Sequence, residues 1–98
     1  MGLLEHKPAK KVKLKPPSKY KVFMLNDDYT PMTFVVDVLK DVFSKPVIEA
    51  EKIMMDIHKK GKGLCGVYPF DIAETKVIQV MALAHKNEHP LQCVMERE

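Results

Sequence analysis

From Tyr20 onward short strand-like runs alternate with apolar stripes at helical spacing, and the breaks between them fall on turn chemistry. Tyr20-Lys21-Val22-Phe23-Met24-Leu25 reads as a strand that stops at Asn26-Asp27-Asp28, residues that favour turns because they bond their own backbone. Thr30-Pro31 predicts a helix start: Thr30 can cap, and Pro31 suits the first helical position, where its missing N–H costs nothing. Met32, Val35, Val38, Leu39, Val42 and Phe43 then recur at helical spacing until Lys45-Pro46 breaks the run. A second helix is predicted over Val47–Lys60, with Val47, Ala50, Met54 and Ile57 on one face, Ile53 at its edge and Gly61 as a left-handed stop. Leu64–Tyr68 reads as a short strand. Pro69 opens a third helix over about 70–87, whose buried stripe is Ala73, Val77, Val80, Met81 and Ala84. His85-Lys86-Asn87 suit its C-terminal end, and Leu91–Glu96 reads as a closing strand.

The order β-α-α-β-α-β predicts an α+β fold, a three-stranded antiparallel sheet with three helices packed on one face. A length of 98 residues suits one domain, and a hydrophobic share of 46% supports a single modest core. Residues 1–18, rich in Lys and Pro, are expected to form a flexible basic leader, and residues 19–98 the folded core. Charge sharpens that division. Residues 1–21 carry seven lysines against Glu5, a balance of +6, so the remainder supplies −3 of the net +3. One reading of such an arm is an RNA- or ribosome-associated module. Against nucleic acid, the arm has no aromatic residue before Tyr20 to stack on bases. No apolar run is long enough to span a membrane. The start Met1-Gly2-Leu3-Leu4-Glu5-His6-Lys7 lacks the apolar stretch of a secretion signal, and Cys65 and Cys93 are the only cysteines, so reduced thiols and a cytoplasmic setting are expected.

Few residues offer chemistry of their own. No nucleophile motif or phosphate-cradling glycine loop is present, which points to a binding protein and not an enzyme, without cofactor. Cys65, His85, His89 and Cys93 are a conceivable zinc set, but they lack the close pairing that structural zinc sites use, and no metal is expected. The informative cluster is Asn26-Asp27-Asp28. In extended chain Asn26 and Asp28 point to one side and Asp27 to the other, so an amide oxygen and a carboxylate converge on one spot. His58, near the end of the second helix, is a candidate rim residue. Met32 and Met54 sit on successive helices, and methionines line pockets that adapt to several apolar shapes.

Asn26-Asp27-Asp28-Tyr29-Thr30-Pro31-Met32, followed by Phe34-Val35-Val36-Asp37-Val38-Leu39, resembles the signature of ClpS, the adaptors of Clp proteases. The resemblance continues through Ile57-His58, Gly61, Cys65-Gly66-Val67, Ala73-Glu74-Thr75-Lys76-Val77 and Asn87-Glu88-His89-Pro90-Leu91, and covers about residues 16–96. It implies an adaptor for the N-end rule, one that binds proteins starting with Leu, Phe, Tyr or Trp and passes them to a Clp AAA+ ATPase. By the same resemblance Asn26, Asp28 and His58, with Asp27 as a secondary member, receive the substrate's α-amino group. An ammonium has three donors and needs acceptors from several directions, so His58 must offer a bare ring nitrogen. Thr30, Met32, Val35, Met54, Ile57 and Leu91 are implied to line the hole for the first side chain, with Met32 restricting side chains branched at Cβ. Ile57 stands where the family often carries Val, which implies a slightly smaller hole that disfavours Trp. Asp71, Glu74 and Lys76 are implied to dock the Clp ATPase, and the family often has Glu where Asp71 stands.

Overall fold

The computed structural model describes residues 15–98. Among these, the elements are β1 (Lys19–Leu25), α1 (Met32–Asp41), α2 (Val47–Lys60), β2 (Lys62–Pro69), α3 (Phe70–Lys86) and β3 (Gln92–Arg97), in the order expected from the hydrophobic pattern. β1 is the central strand of an antiparallel sheet ordered β2-β1-β3. The first fourteen residues of the expected leader lie outside the described residues; Lys15 to Ser18 precede β1 without regular structure.

Period-2 burial explains the layers. Val22 and Met24 of β1, Cys65 of β2 and Cys93 of β3 are buried, while Leu64 and Val67 face the other side of the sheet and are 42% and 37% exposed. One sheet face therefore carries the helices. α3 packs against all three strands, α2 against β2, and α1 against α2. A bulge in β2 opposite Val22 and Phe23 leaves Cys65 as the extra residue, which shifts the alternation along that strand. The core is Val22, Met24, Val35, Val38, Leu39, Ala50, Ile57, Val80 and Leu91, with Ala73 and Ala84 where α3 approaches the sheet closely. Each fully buried large side chain, such as Leu39, contributes about 1.5–3 kcal/mol.

Two expectations need correction. Val47 is 48% exposed, because the core does not cover the first turn of α2, and the buried residues of this helix are Ala50 and Ile57. Thr30 does not cap α1. Pro31 occupies the cap position with no side-chain cap bond, and the Pro31 carbonyl accepts from Phe34 N and Val35 N. The Thr30 hydroxyl is instead turned back to Asp27.

The helix ends are decided locally. α2 stops at Gly61, whose φ of 91° is open to glycine and strained for other residues. α1 and α3 end in the same left-handed manner with non-glycine residues, Ser44 at φ 55° and Glu88 at φ 60°. Their closing bonds run from Lys45 N to Leu39 O (3.1 Å) and from His89 N to Ala84 O (2.8 Å). The second of these turns the chain back toward α1, where His89 packs against Phe34, and leads into the buried Leu91.

Candidate functional site

The loop after β1 is built around Asp27. Its Oδ1 accepts from the amides of Tyr29 (2.8 Å) and Thr30 (2.7 Å), and its Oδ2 accepts from the Thr30 hydroxyl (2.8 Å). Burial alone would raise the Asp27 carboxyl's pKa. The bonds from Thr30 and Tyr29, together with the charge of nearby His89, outweigh that and hold it below the ordinary aspartate range. The carboxylate is thus occupied by its own loop. Asn26 and Asp28, on either side, keep exposed side chains and make no side-chain hydrogen bond within the described residues.

The ladder between β1 and β2 runs one residue past the strand end. Asn26 N donates to Gly61 O (2.9 Å), and Gly61 N donates to Ile57 O (3.0 Å). This chain of two bonds ties Asn26 to the last turn of α2, which carries His58. Residues far apart in sequence are therefore held by backbone geometry at a single corner of the fold.

That corner contains a cavity of about 240 Å³. Asn26, Asp27, Asp28 and Thr30 from the loop, Met32 and Val35 from α1, Met54, Ile57 and His58 from α2, and Leu91 from the segment entering β3 all line it. Leu25, the last residue of β1, lines it too and was not singled out from the sequence; its position beside the turn was the available signal. The polar members come from the loop and His58, whereas Val35, Ile57 and Leu91 are 5%, 4% and 1% exposed and form an apolar floor. Met32, 44% exposed, stands at the rim. The volume falls below the about 300–1,000 Å³ of drug-sized sites, yet an apolar cavity of about 150 Å³ admits benzene. One large side chain with a polar head matches it.

The second predicted surface lies elsewhere. Asp71 and Glu74 are exposed on the first turns of α3. Asp71 Oδ1 accepts from Ile72 N (3.1 Å), and Phe70 and Ile72 are exposed beside it. Lys76 is drawn away from them: its Nζ donates to Val42 O (2.7 Å) at the end of α1 and sits 5.8 Å from the Tyr68 ring centre. α3 begins where Pro69 pairs with Lys19, at the opposite end of β1 from Leu25, which puts the two surfaces about 20 Å apart.

Cys65, His85, His89 and Cys93 do not come together. No group of three or more His, Cys, Asp or Glu side chains among the described residues is placed to hold a metal ion. The thiols are buried on strands flanking β1, which pushes both up to about 12, and His89 packs edge-on against Phe34 at 4.5 Å. Among the described residues, no helix is long and apolar enough to cross a membrane.

The sequence model of the family described as ATP-dependent Clp protease adaptor protein ClpS matches residues 15–94. The chain belongs to the ClpS family. It is 57% identical over 88 residues to the ClpS adapter of Hyphomonas neptunium, an alignment covering 90% of this chain and 75% of that protein. Identity to the ClpS adapter of Shewanella denitrificans is 55% over 97 residues, covering 98% of this chain and 95% of the other. Among solved structures, Agrobacterium tumefaciens ClpS2 bound to L-phenylalaninamide superposes with a TM-score of 0.82 at 41% identity, covering 85% of this chain and all of that one. The family is one of Clp protease adaptors, and this chain shares its three-stranded α+β fold with the Agrobacterium protein.

Proposed function

We propose that this ClpS chain captures proteins by a free α-amino group on a bulky apolar first residue and hands them to a Clp AAA+ ATPase in the cytoplasm. The observation that carries the reading is the shared cavity: polar acceptors at its mouth and an apolar floor beneath. L-phenylalaninamide, bound by the similar Agrobacterium protein, is a phenylalanine with a free amine and a blocked carboxyl, the chemistry of an N-terminal residue.

Asn26 Oδ1, an Asp28 carboxylate oxygen and a bare nitrogen of His58 surround the ammonium, one acceptor for each donor. The side chain enters between Met32 and Met54 and rests on Val35, Ile57 and Leu91. Burying a Leu or Phe there contributes about 1.5–3 kcal/mol. Met32 at the rim crowds the first carbon of that side chain and disfavours branching at Cβ. Asp27 acts on the amine indirectly, by fixing the loop that aims Asn26 and Asp28. Asp71 and Glu74, with the exposed Phe70 and Ile72, form the ATPase-facing surface, and Lys76 shapes it from behind by anchoring α3 to α1. The separation of about 20 Å along β1 lets substrate and ATPase be held together. The chain preceding Lys19 enters the fold at the ATPase-facing end, where Tyr20 packs on Phe70 at 5.3 Å.

The test is titration with a peptide that begins with free Leu or Phe and with the same peptide N-acetylated. Binding of the first and not the second is expected, with Asn26→Ala and His58→Ala each weakening it at least about tenfold, because a buried ammonium loses an acceptor. Equal binding of free and acetylated peptides removes the amine site.

A further inference from the structure

Gly61 and Gly63 flank the same turn for different reasons. Gly61 has a positive φ and open space where a Cβ would stand. Gly63 has an ordinary backbone conformation that alanine adopts freely, but the space beside it is filled. A Cβ there would lie 2.7 Å from Ile57 Cγ1, 2.9 Å from the Ile53 carbonyl oxygen and 3.2 Å from Ile53 Cγ2. α2 thus rests on the bare backbone of β2, and the Ile57 side chain occupies the volume a Cβ would take.

Ile57 has two neighbours that matter. On one side it meets Gly63; on the other it is the floor of the cavity. Gly63 cannot retreat, because it pairs with Met24 in the central strand and its carbonyl accepts from the buried Cys65 thiol (3.6 Å). Ile57 cannot swing aside either, since a β-branched side chain in a helix has essentially one χ1 rotamer. With the Ile53 carbonyl crowded as well, relief requires α2 to shift away from β2, which carries Ile57 toward the cavity.

We propose that Gly63, though not a lining residue, sets the depth of the side-chain pocket by letting Ile57 sink toward the sheet, and so fixes which first residues fit. This deepens the reading above and rests on it. Ile57 adds a methylene relative to valine, and the resemblance alone implies a shallower hole for that reason; the vacancy at Gly63 offsets it. The pocket keeps room for aromatic first residues only as long as position 63 has no side chain.

The experiment measures affinity for three peptides differing only in a free first residue, Leu, Phe or Trp, against the wild-type chain, Gly63→Ala, Ile57→Ala and the double variant. Gly63→Ala is expected to weaken Phe and Trp binding about tenfold more than Leu binding, since an overpacked floor costs the longest side chains most. Ile57→Ala removes Cγ1 and deepens the hole, so Trp should gain several-fold on Leu. In the double variant the contact with Ile57 is gone while those with Ile53 remain, so Phe affinity should recover at least about threefold over Gly63→Ala, the coupling expected of residues in contact. A Gly63→Ala protein that loses all three peptides equally, or a double variant with no recovery, overturns the proposal. Should Gly63→Ala not fold, an unchanged Trp-to-Leu ratio in Ile57→Ala overturns it as well. A wild-type chain that binds none of the free-amine peptides instead removes the parent reading, so the two failures are distinguishable.

Discussion

Asp27 is the residue for which sequence and structure suggest different roles, and substitution separates them. Its carboxylate takes three hydrogen bonds of 2.7–2.8 Å from Tyr29 and Thr30, all within its own loop. Asp27→Ala removes all three. Each bond is worth about 0.5–1.5 kcal/mol net. Tyr29 is 80% exposed, so water replaces part of that loss, and a total of about 1–2 kcal/mol in stability is expected. The loop must then be ordered by the ligand, which converts to an affinity loss of about tenfold for a Leu-starting peptide. Asp27→Asn keeps an Oδ1 acceptor for both amides, and its Nδ2 can donate to the Thr30 hydroxyl. If Asp27 works by positioning, Asn retains affinity within about threefold of wild type. Fluorescence anisotropy with a labelled peptide and urea unfolding of the same three proteins provide the readings. An Asn variant as weak as the Ala variant refutes positioning and assigns Asp27 to the ammonium by charge. The pH dependence has a definite sign. Because the folded pKa is depressed, the Asp27 contribution is fully present above the ordinary aspartate range and is lost as pH falls through the lower folded value. The Asn variant should lack this acid-side loss.

Gly61→Ala should destabilise by about 1–2 kcal/mol although nothing crowds the new Cβ, since the cost is the positive φ alone; Glu88→Gly, at φ 60°, should stabilise by about 0.5–1 kcal/mol for the converse reason, and thermal unfolding of both checks the pair. Lys76→Met keeps the stem but drops the bond to Val42 O, and urea unfolding should show a loss of about 1 kcal/mol; an unchanged midpoint would free Lys76 for a direct role toward the ATPase. Both thiols, pushed up to about 12 by burial, should resist a thiol-reactive dye at neutral pH until denaturant is added, when two should react per chain. Rapid labelling of the native protein would contradict the burial.

Some features of this ClpS chain are local, and the residues themselves determine them. The helical stripe from Val35 to Leu39, the strand from Tyr20 to Leu25 and the left-handed stop at Gly61 follow from helical spacing, from a strand-like run bounded by turn chemistry and from glycine's freedom at positive φ, and they are legible without coordinates. The polar cluster at Asn26-Asp27-Asp28 is legible as a turn and, by resemblance, as a site. Its internal division of labour is not. Parity separates Asp27 from its neighbours, but only the folded loop shows the carboxylate occupied by Tyr29 and Thr30, and that occupation takes Thr30 away from capping α1. The same holds for Lys76, a surface charge by sequence and an anchor onto Val42 in space. Val47 obeys the period of α2 and yet stays exposed, since burial depends on whether a neighbour covers that turn. What the tertiary structure alone decides is convergence. Asn26, His58 and Leu91 meet because β1 pairs with β2 through Gly61 and because the turn at Glu88 swings the chain back toward α1. Gly63 is the clearest instance. In sequence it is one more glycine after a helix stop; in the fold its missing Cβ is the space into which the pocket floor settles.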